Sequence, residues 1–151
     1  MKAKFFVIVI VILLLTACGK DQAYEPEDIN PEVDVCEVCN MSIASEMYAT
    51  QLMMKDGEVY KFDDIGCMIE FIEKDQKDGD LAKKYVRDVE TGEWVELDKA
   101  YHVYDPDIWT PMANGVISFE TKERAEDYIK KEGMGELYNY EKLQKHKWGW
   151  E

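Results

Sequence analysis

Glu58-Val59-Tyr60-Lys61-Phe62-Asp63-Asp64-Ile65-Gly66-Cys67-Met68-Ile69-Glu70-Phe71-Ile72 contains the change of pattern that sets the architecture. Glu58 to Phe62 suits a strand. From Ile65 onward the apolar residues Ile65, Met68, Ile69 and Ile72 fall at i, i+3, i+4 and i+7, one stripe of a helix. Asp63 and Asp64, at the junction, offer an N-cap. Upstream, Lys55-Asp56-Gly57 separates Glu58–Phe62 from a second strand-like run, Tyr48 to Met54, and Asp-Gly between such runs signals a hairpin. The stretch thus reads as strand, turn, strand, helix.

The same order recurs downstream. After a charged loop from Asp75 to Asp80, Tyr85–Val89 and Glu93–Leu97 form a hairpin around Thr91-Gly92, and Tyr101–Tyr104 is a further β segment. A proline-containing loop, Asp105 to Met112, leads to a strand at Val116–Phe119. Thr121 caps a helix with Glu123 and Arg124 in its first turn and Ala125, Tyr128 and Ile129 on its buried face. Gly133 and Gly135 stop it, and Glu136–Tyr140 returns as a strand. Phe62 precedes Phe71 by nine residues, and Phe119 precedes Tyr128 by nine in the same setting. The expectation is an α+β domain over residues 35–144, built of antiparallel strands in two small related ββα-type units, about 35–80 and 84–144. In the tail, 145–151, the terminus is expected to pack one of Trp148 and Trp150 back.

The N-terminus reads as an export signal over residues 1–17. Lys2 and Lys4 precede an apolar run from Phe5 to Leu15 that is short for a bilayer span. The run ends in Leu15-Thr16-Ala17-Cys18, which resembles the bacterial lipobox, so Cys18 is expected to carry lipid and become the first mature residue. Residues 18–34 are acidic, contain Pro26 and Pro31, and read as a disordered tether. The signal holds two of the 18 basic residues and none of the 32 acidic ones, which leaves 16 against 32 and a formal charge of −16. That argues against nucleic acid and against electrostatic docking on anionic lipid. It is compatible with a cationic partner, or simply with solubility.

Three cysteines remain beyond Cys18, an odd number, which a pure disulfide scaffold does not need. Cys36-Glu37-Val38-Cys39-Asn40-Met41 packs two thiols and a thioether into six residues. Soft sulfur donors select Cu(I) over harder divalent ions. Cys39 and Met41 are two apart and share a face in extended backbone. Three other readings stand beside this one: half of a zinc site completed by Cys67 and His102, a redox pair, and a plain Cys36–Cys39 disulfide. Met41 favours copper, since the zinc and redox readings give a thioether no role. Cys67, in the first turn of the first helix, is a further candidate. So is Met112, in Thr110-Pro111-Met112-Ala113-Asn114-Gly115, because an apolar side chain in such a loop either packs or binds.

Four blocks, in order, resemble the NosL family of copper-binding lipoproteins accessory to nitrous oxide reductase. They are Cys36-x-x-Cys39-Asn40-Met41; Tyr60-Lys61-Phe62-Asp63-Asp64-Ile65-Gly66-Cys67-Met68 after Asp56-Gly57; Trp94 to Tyr101; and Thr110-Pro111-Met112 with Gly115 to Phe119 and Glu123-x-Ala125-Glu126. The resemblance implies a fold similar to part of organomercurial lyase. It also implies a non-enzymatic Cu(I) carrier on the outer face of the cytoplasmic membrane, or the periplasmic face in a two-membrane envelope. Such a carrier supplies copper to nitrous oxide reductase or its copper-assembly complex. The family's Cys-x-Met maps onto Cys39 and Met41 and its Pro-Met onto Met112, which is expected to face the site from the second half. Ala113 stands where a glycine is common, and Cys36 and Cys67 add thiols that some members lack. The rivals are a thiol-dependent lyase-like enzyme, with Cys39 and Cys67 as thiolates and Asp63 or Asp64 as proton donor, and a structural zinc module that docks a partner.

Overall fold

Two antiparallel sheets carry the chain in a computed structural model that describes residues 24–75 and 77–150. The strands are β1 (Thr50–Met54), β2 (Val59–Phe62), β3 (Leu81–Arg87), β4 (Trp94–Glu96), β5 (Tyr101–Tyr104), β6 (Val116–Phe119) and β7 (Glu136–Tyr138). The helices are α1 (Ile65–Asp75), α2 (Lys122–Glu132) and the single turn α3 (Tyr140–Leu143). The first sheet has the order β2-β1-β3-β4 and the second β6-β5-β7.

Each sheet is built the same way. A hairpin partner pairs with one side of a central strand, a helix follows, and the next strand pairs with the other side. This gives β1-β2-α1-β3 in the first sheet and β5-β6-α2-β7 in the second, with β4 added to the first. The repeated aromatic spacing has a physical counterpart. The rings of Phe62 and Phe71 lie 5.3 Å apart, and those of Phe119 and Tyr128 lie 5.5 Å apart. In both units a strand-end ring meets a helix ring nine residues later, and each such aromatic pair adds to the burial that fixes helix on sheet.

The strand and helix pattern puts the half-units at about 35–80 and 84–144; in the structure β3 and β4 pair into the first sheet and β5 begins the second. All five residues of β1 are buried. A strand buried on both faces needs a hydrogen-bonding neighbour on each edge. β3 supplies the second one, with Thr50 opposite Val86 and Gln51 opposite Tyr85.

Alternation along β1 separates two faces. Leu52, with Phe62 and Val86, packs against Ile65 and Met68 of α1. Gln51 points the other way and meets the N-terminal segment: Glu27 N–H donates to Gln51 Oε1 at 2.9 Å, and Gln51 Nε2 donates to Glu27 O at 2.6 Å. Ile29 is buried with Ile43 and Ala49. Residues 24–34, expected as tether, therefore lie along the sheet. Their acidity is matched by Lys61, which pairs with Glu27 and Asp34. The signal peptide, Cys18 and the start of the tether lie outside the described residues.

Thr121 Oγ1 accepts from Arg124 N–H, and Gly133 closes α2 in the left-handed conformation at φ 70°. The tail docks both tryptophans. Trp148 is buried and stacks on Trp150 at 5.4 Å, and Trp150 Nε1 donates to Glu73 Oε2 on α1 at 3.1 Å.

Candidate metal centre

Cys36 to Met41 forms a tight turn against the end of β2. Cys36 N–H donates to Met41 O, and Asn40 N–H donates to Cys36 O, both at 2.9 Å. The reversal needs a left-handed residue, and Asn40 takes it at φ 60°; asparagine visits this region more readily than most residues. Glu37 N–H donates to Lys61 O at 3.1 Å and so fastens the turn to β2. Two residues past Lys61 come Asp63 and Asp64, then α1 with Cys67 in its first turn.

This brings Cys36, Cys39, Asp63 and Cys67 together, with one ligating atom from each inside a 4.8 Å cluster. Cys36 and Cys67 are buried and Cys39 is half-buried; all three are free thiols. Cys39 Sγ donates to Asp63 Oδ2 at 3.4 Å. The other oxygen, Asp63 Oδ1, is buried and lacks a hydrogen-bond partner. A buried carboxylate oxygen left over in this way is costly unless a cation meets it.

The thiols are electrostatically unequal. Cys36 is drawn down to about 7, first because the Cys67 thiol donates to its sulfur. Burial opposes that effect, and the N–H groups of Cys39, Asp63 and Val38 support it. Cys39 is pushed up to about 12, mainly by burial and by its nearness to Cys36. Cys67 is pushed up as well, by the bond that stabilises Cys36 and by burial. Cys36 is thus the thiol that ionises first, and a metal held by all three sulfurs would have to displace the protons of the other two.

Of the expected sulfur donors, the three cysteines converge. Met41, two residues past Cys39, and Met112 lie on loops and are exposed, Met41 46% and Met112 37% accessible. The Met112 loop comes from the second unit and is held by Asp64: Met112 N–H donates to Asp64 Oδ2 at 3.2 Å, and Asn114 Nδ2 donates to Asp64 Oδ1 at 2.9 Å. His102, weighed as a zinc ligand, is buried in β5, where Nδ1 and Ser118 Oγ lie 2.9 Å apart; the thiol cluster contains no histidine. Asp63, expected as a helix cap, sits among the sulfurs. Its spacing of four from Cys67 is the signal that could have placed both on one side of the helix entrance.

Three thiolates suit soft Cu(I) and also borderline Zn(II), and the carboxylate tilts the set toward Zn(II). The family model for NosL matches residues 27–148. No curated protein sequence matches. Among solved structures, the crystal structure of the copper chaperone NosL from Shewanella denitrificans is similar, with a TM-score of 0.66 and 20% identity, covering 78% of this chain and 94% of that one.

Proposed function

The chain belongs to the NosL family, and we propose that it is a membrane-anchored, extracytoplasmic Cu(I) carrier. It hands copper to an exported cuproenzyme, nitrous oxide reductase or its copper-assembly complex. The convergence of Cys36, Cys39 and Cys67 beside Asp63 carries this reading. The likeness in fold to the Shewanella denitrificans copper chaperone supports it.

Cu(I) is the cargo. It arrives at the exposed Met41 and Met112 thioethers, which stay as outer donors, and is held by the buried Cys36 thiolate with Cys39 and Cys67. The exposure of the thioethers suits release. An incoming donor from the recipient meets a thioether first and displaces one ligand at a time. The protein is a carrier and not an enzyme. Anchoring at Cys18 rests on the Leu15-Thr16-Ala17-Cys18 motif and would appear as a diacylglycerol mass increment on the mature N-terminus.

Anaerobic titration with Cu(I) and Zn(II), on the wild type and on Met41→Leu, tests the proposal. Copper carriage predicts that losing the thioether weakens Cu(I) and leaves Zn(II) nearly unchanged. A reduced protein that yields copper to a modest chelator would refute it. The lyase reading draws on one observation, the approach of Cys39, Cys67 and Asp63. It requires that a simple organomercurial be cleaved to hydrocarbon and Hg(II), with Asp63→Asn abolishing the cleavage.

A further inference from the structure

Among the described residues, two non-glycines have positive φ: Asn40 at 60° and Ala113 at 56°. Each adjoins an exposed methionine. Asn40 precedes Met41, and Ala113 follows Met112. A left-handed alanine costs on the order of 1–2 kcal/mol and persists only where its surroundings over-determine it.

At Ala113 those surroundings converge on one buried carboxylate. Asp64 is 1% exposed. Its Oδ1 accepts from Gly66 N–H at 2.7 Å, capping α1, and from Asn114 Nδ2 at 2.9 Å. Its Oδ2 accepts from Met112 N–H at 3.2 Å. The fit is close: a Cβ at Gly66 would lie 2.0 Å from Asn114 Nδ2. Asp63, the neighbouring residue, touches Cys39. One pair of acids thus faces the thiols with one member and grips the second unit's methionine loop with the other.

We propose that Asp64 is the positioning residue that seats the Met112 thioether at the thiol site, and thereby sets how slowly Cu(I) is released. The proposal rests on the reading of Met112 as a donor. Asp64 does not touch the ion. It holds the loop, and the strained Ala113 biases the loop to leave when the grip is broken.

Asp64→Asn keeps an acceptor for the helix cap and turns an N–H toward the Met112 amide, so it loosens the loop selectively. Cu(I) affinity and release rate are read anaerobically by competition with a chromophoric chelator, with Zn(II) affinity alongside. The expected result is a loss of Cu(I) affinity of about tenfold to a hundredfold, faster release and unchanged Zn(II) affinity. The loss disappears when Met112→Leu is already present, as a cycle between coupled residues requires. If Met112→Leu alone changes nothing, the donor reading fails and the positioning role fails with it. If Met112→Leu weakens Cu(I) but Asp64→Asn does not, the positioning role alone is overturned. The same holds if the Asp64→Asn loss persists in full beside Met112→Leu. Should circular dichroism show Asp64→Asn unfolded, Gly66→Ala replaces it. That change displaces Asn114 without altering any donor, and its failure to weaken Cu(I) overturns the role equally.

Discussion

Cys39 Sγ donates to Asp63 Oδ2 at 3.4 Å, while Asp63 Oδ1 is buried without a partner. The carboxylate is a hard donor among soft ones, so its removal discriminates between ions. Asp63→Asn should lower Zn(II) affinity by about tenfold or more and Cu(I) affinity much less. Parallel titrations of the two metals measure both. An equal loss for the two ions would place the role of Asp63 in the fold and not in metal choice.

The unequal thiols predict a proton count. At pH 8 Cys36, drawn down to about 7, is already mostly thiolate, whereas Cys39, pushed up to about 12, and Cys67 retain their protons. Binding through all three sulfurs then releases about two protons at pH 8 and about three at pH 6. Apparent Cu(I) affinity accordingly rises with pH across this range. Calorimetry in buffers of different ionisation enthalpy reads the number directly. Release of fewer than one proton at pH 8 would mean that Cys39 and Cys67 stay protonated.

The contact of Glu27 with Gln51 predicts order where composition argues for disorder. Gln51 is fully buried and bonds both backbone groups of Glu27. Tyr24 is held as well: its hydroxyl donates to Lys55 O at 3.2 Å, and its carbonyl accepts from the Tyr85 hydroxyl at 2.8 Å. Hydrogen exchange should find the Glu27 amide protected in the wild type. Gln51→Ala should cost about 1–3 kcal/mol and release that protection while the β1 amides remain slow. An unprotected Glu27 in the wild type would return residues 24–34 to a tether.

The parts of the chain legible beforehand are those where one local signal decides. Thr121 fixes the start of α2, Gly133 its end, and the stripe from Ile65 to Ile72 fixes α1, because capping and helical period act over a few residues. The assignment of β3 to the first sheet was not legible. It depends on β1 needing a partner on its second edge, which is a long-range matter. The same holds for the strap: nothing local in Glu27-Asp28-Ile29 announces that Gln51 and Lys61 will satisfy it. At the candidate metal centre, Cys36, Cys39 and Cys67 were readable as candidates by element and motif, and the structure brings the three together. Asp63 and Asp64 read as a cap, or in the lyase alternative as a proton donor near the thiols; which of them meets the sulfurs and which the Met112 loop appears only once the turn and that loop converge on them.

Stability should fall with acid over two pH windows, to each of which one buried group contributes. Burial pushes His102 down to about 4 from an ordinary value near 6.5. The unfolded chain therefore binds its proton first, and stability falls as pH drops from 6.5 toward 4, by about 3 kcal/mol if the full shift is expressed. Asp88 acts lower. Burial raises its pKa, but the N–H groups of Glu120, Thr91 and Glu90, with Arg124, outweigh that and hold it below the usual carboxylate value. Its contribution is complete above pH 4 and fades as pH falls through the folded value. His102→Gln keeps a side chain that can bond Ser118 and does not titrate, so it should flatten the stability profile between pH 6.5 and 4 and leave the lower window intact. Asp88 joins the β3–β4 turn to the entrance of α2, accepting from Glu90 and Thr91 on one oxygen and from Glu120 and Arg124 on the other. Asp88→Ala should therefore cost about 3 kcal/mol or more at pH 7. Urea denaturation of the three proteins between pH 3.5 and 7 supplies both tests. A wild-type profile flat down to pH 4 would mean that His102 is not held neutral by the fold.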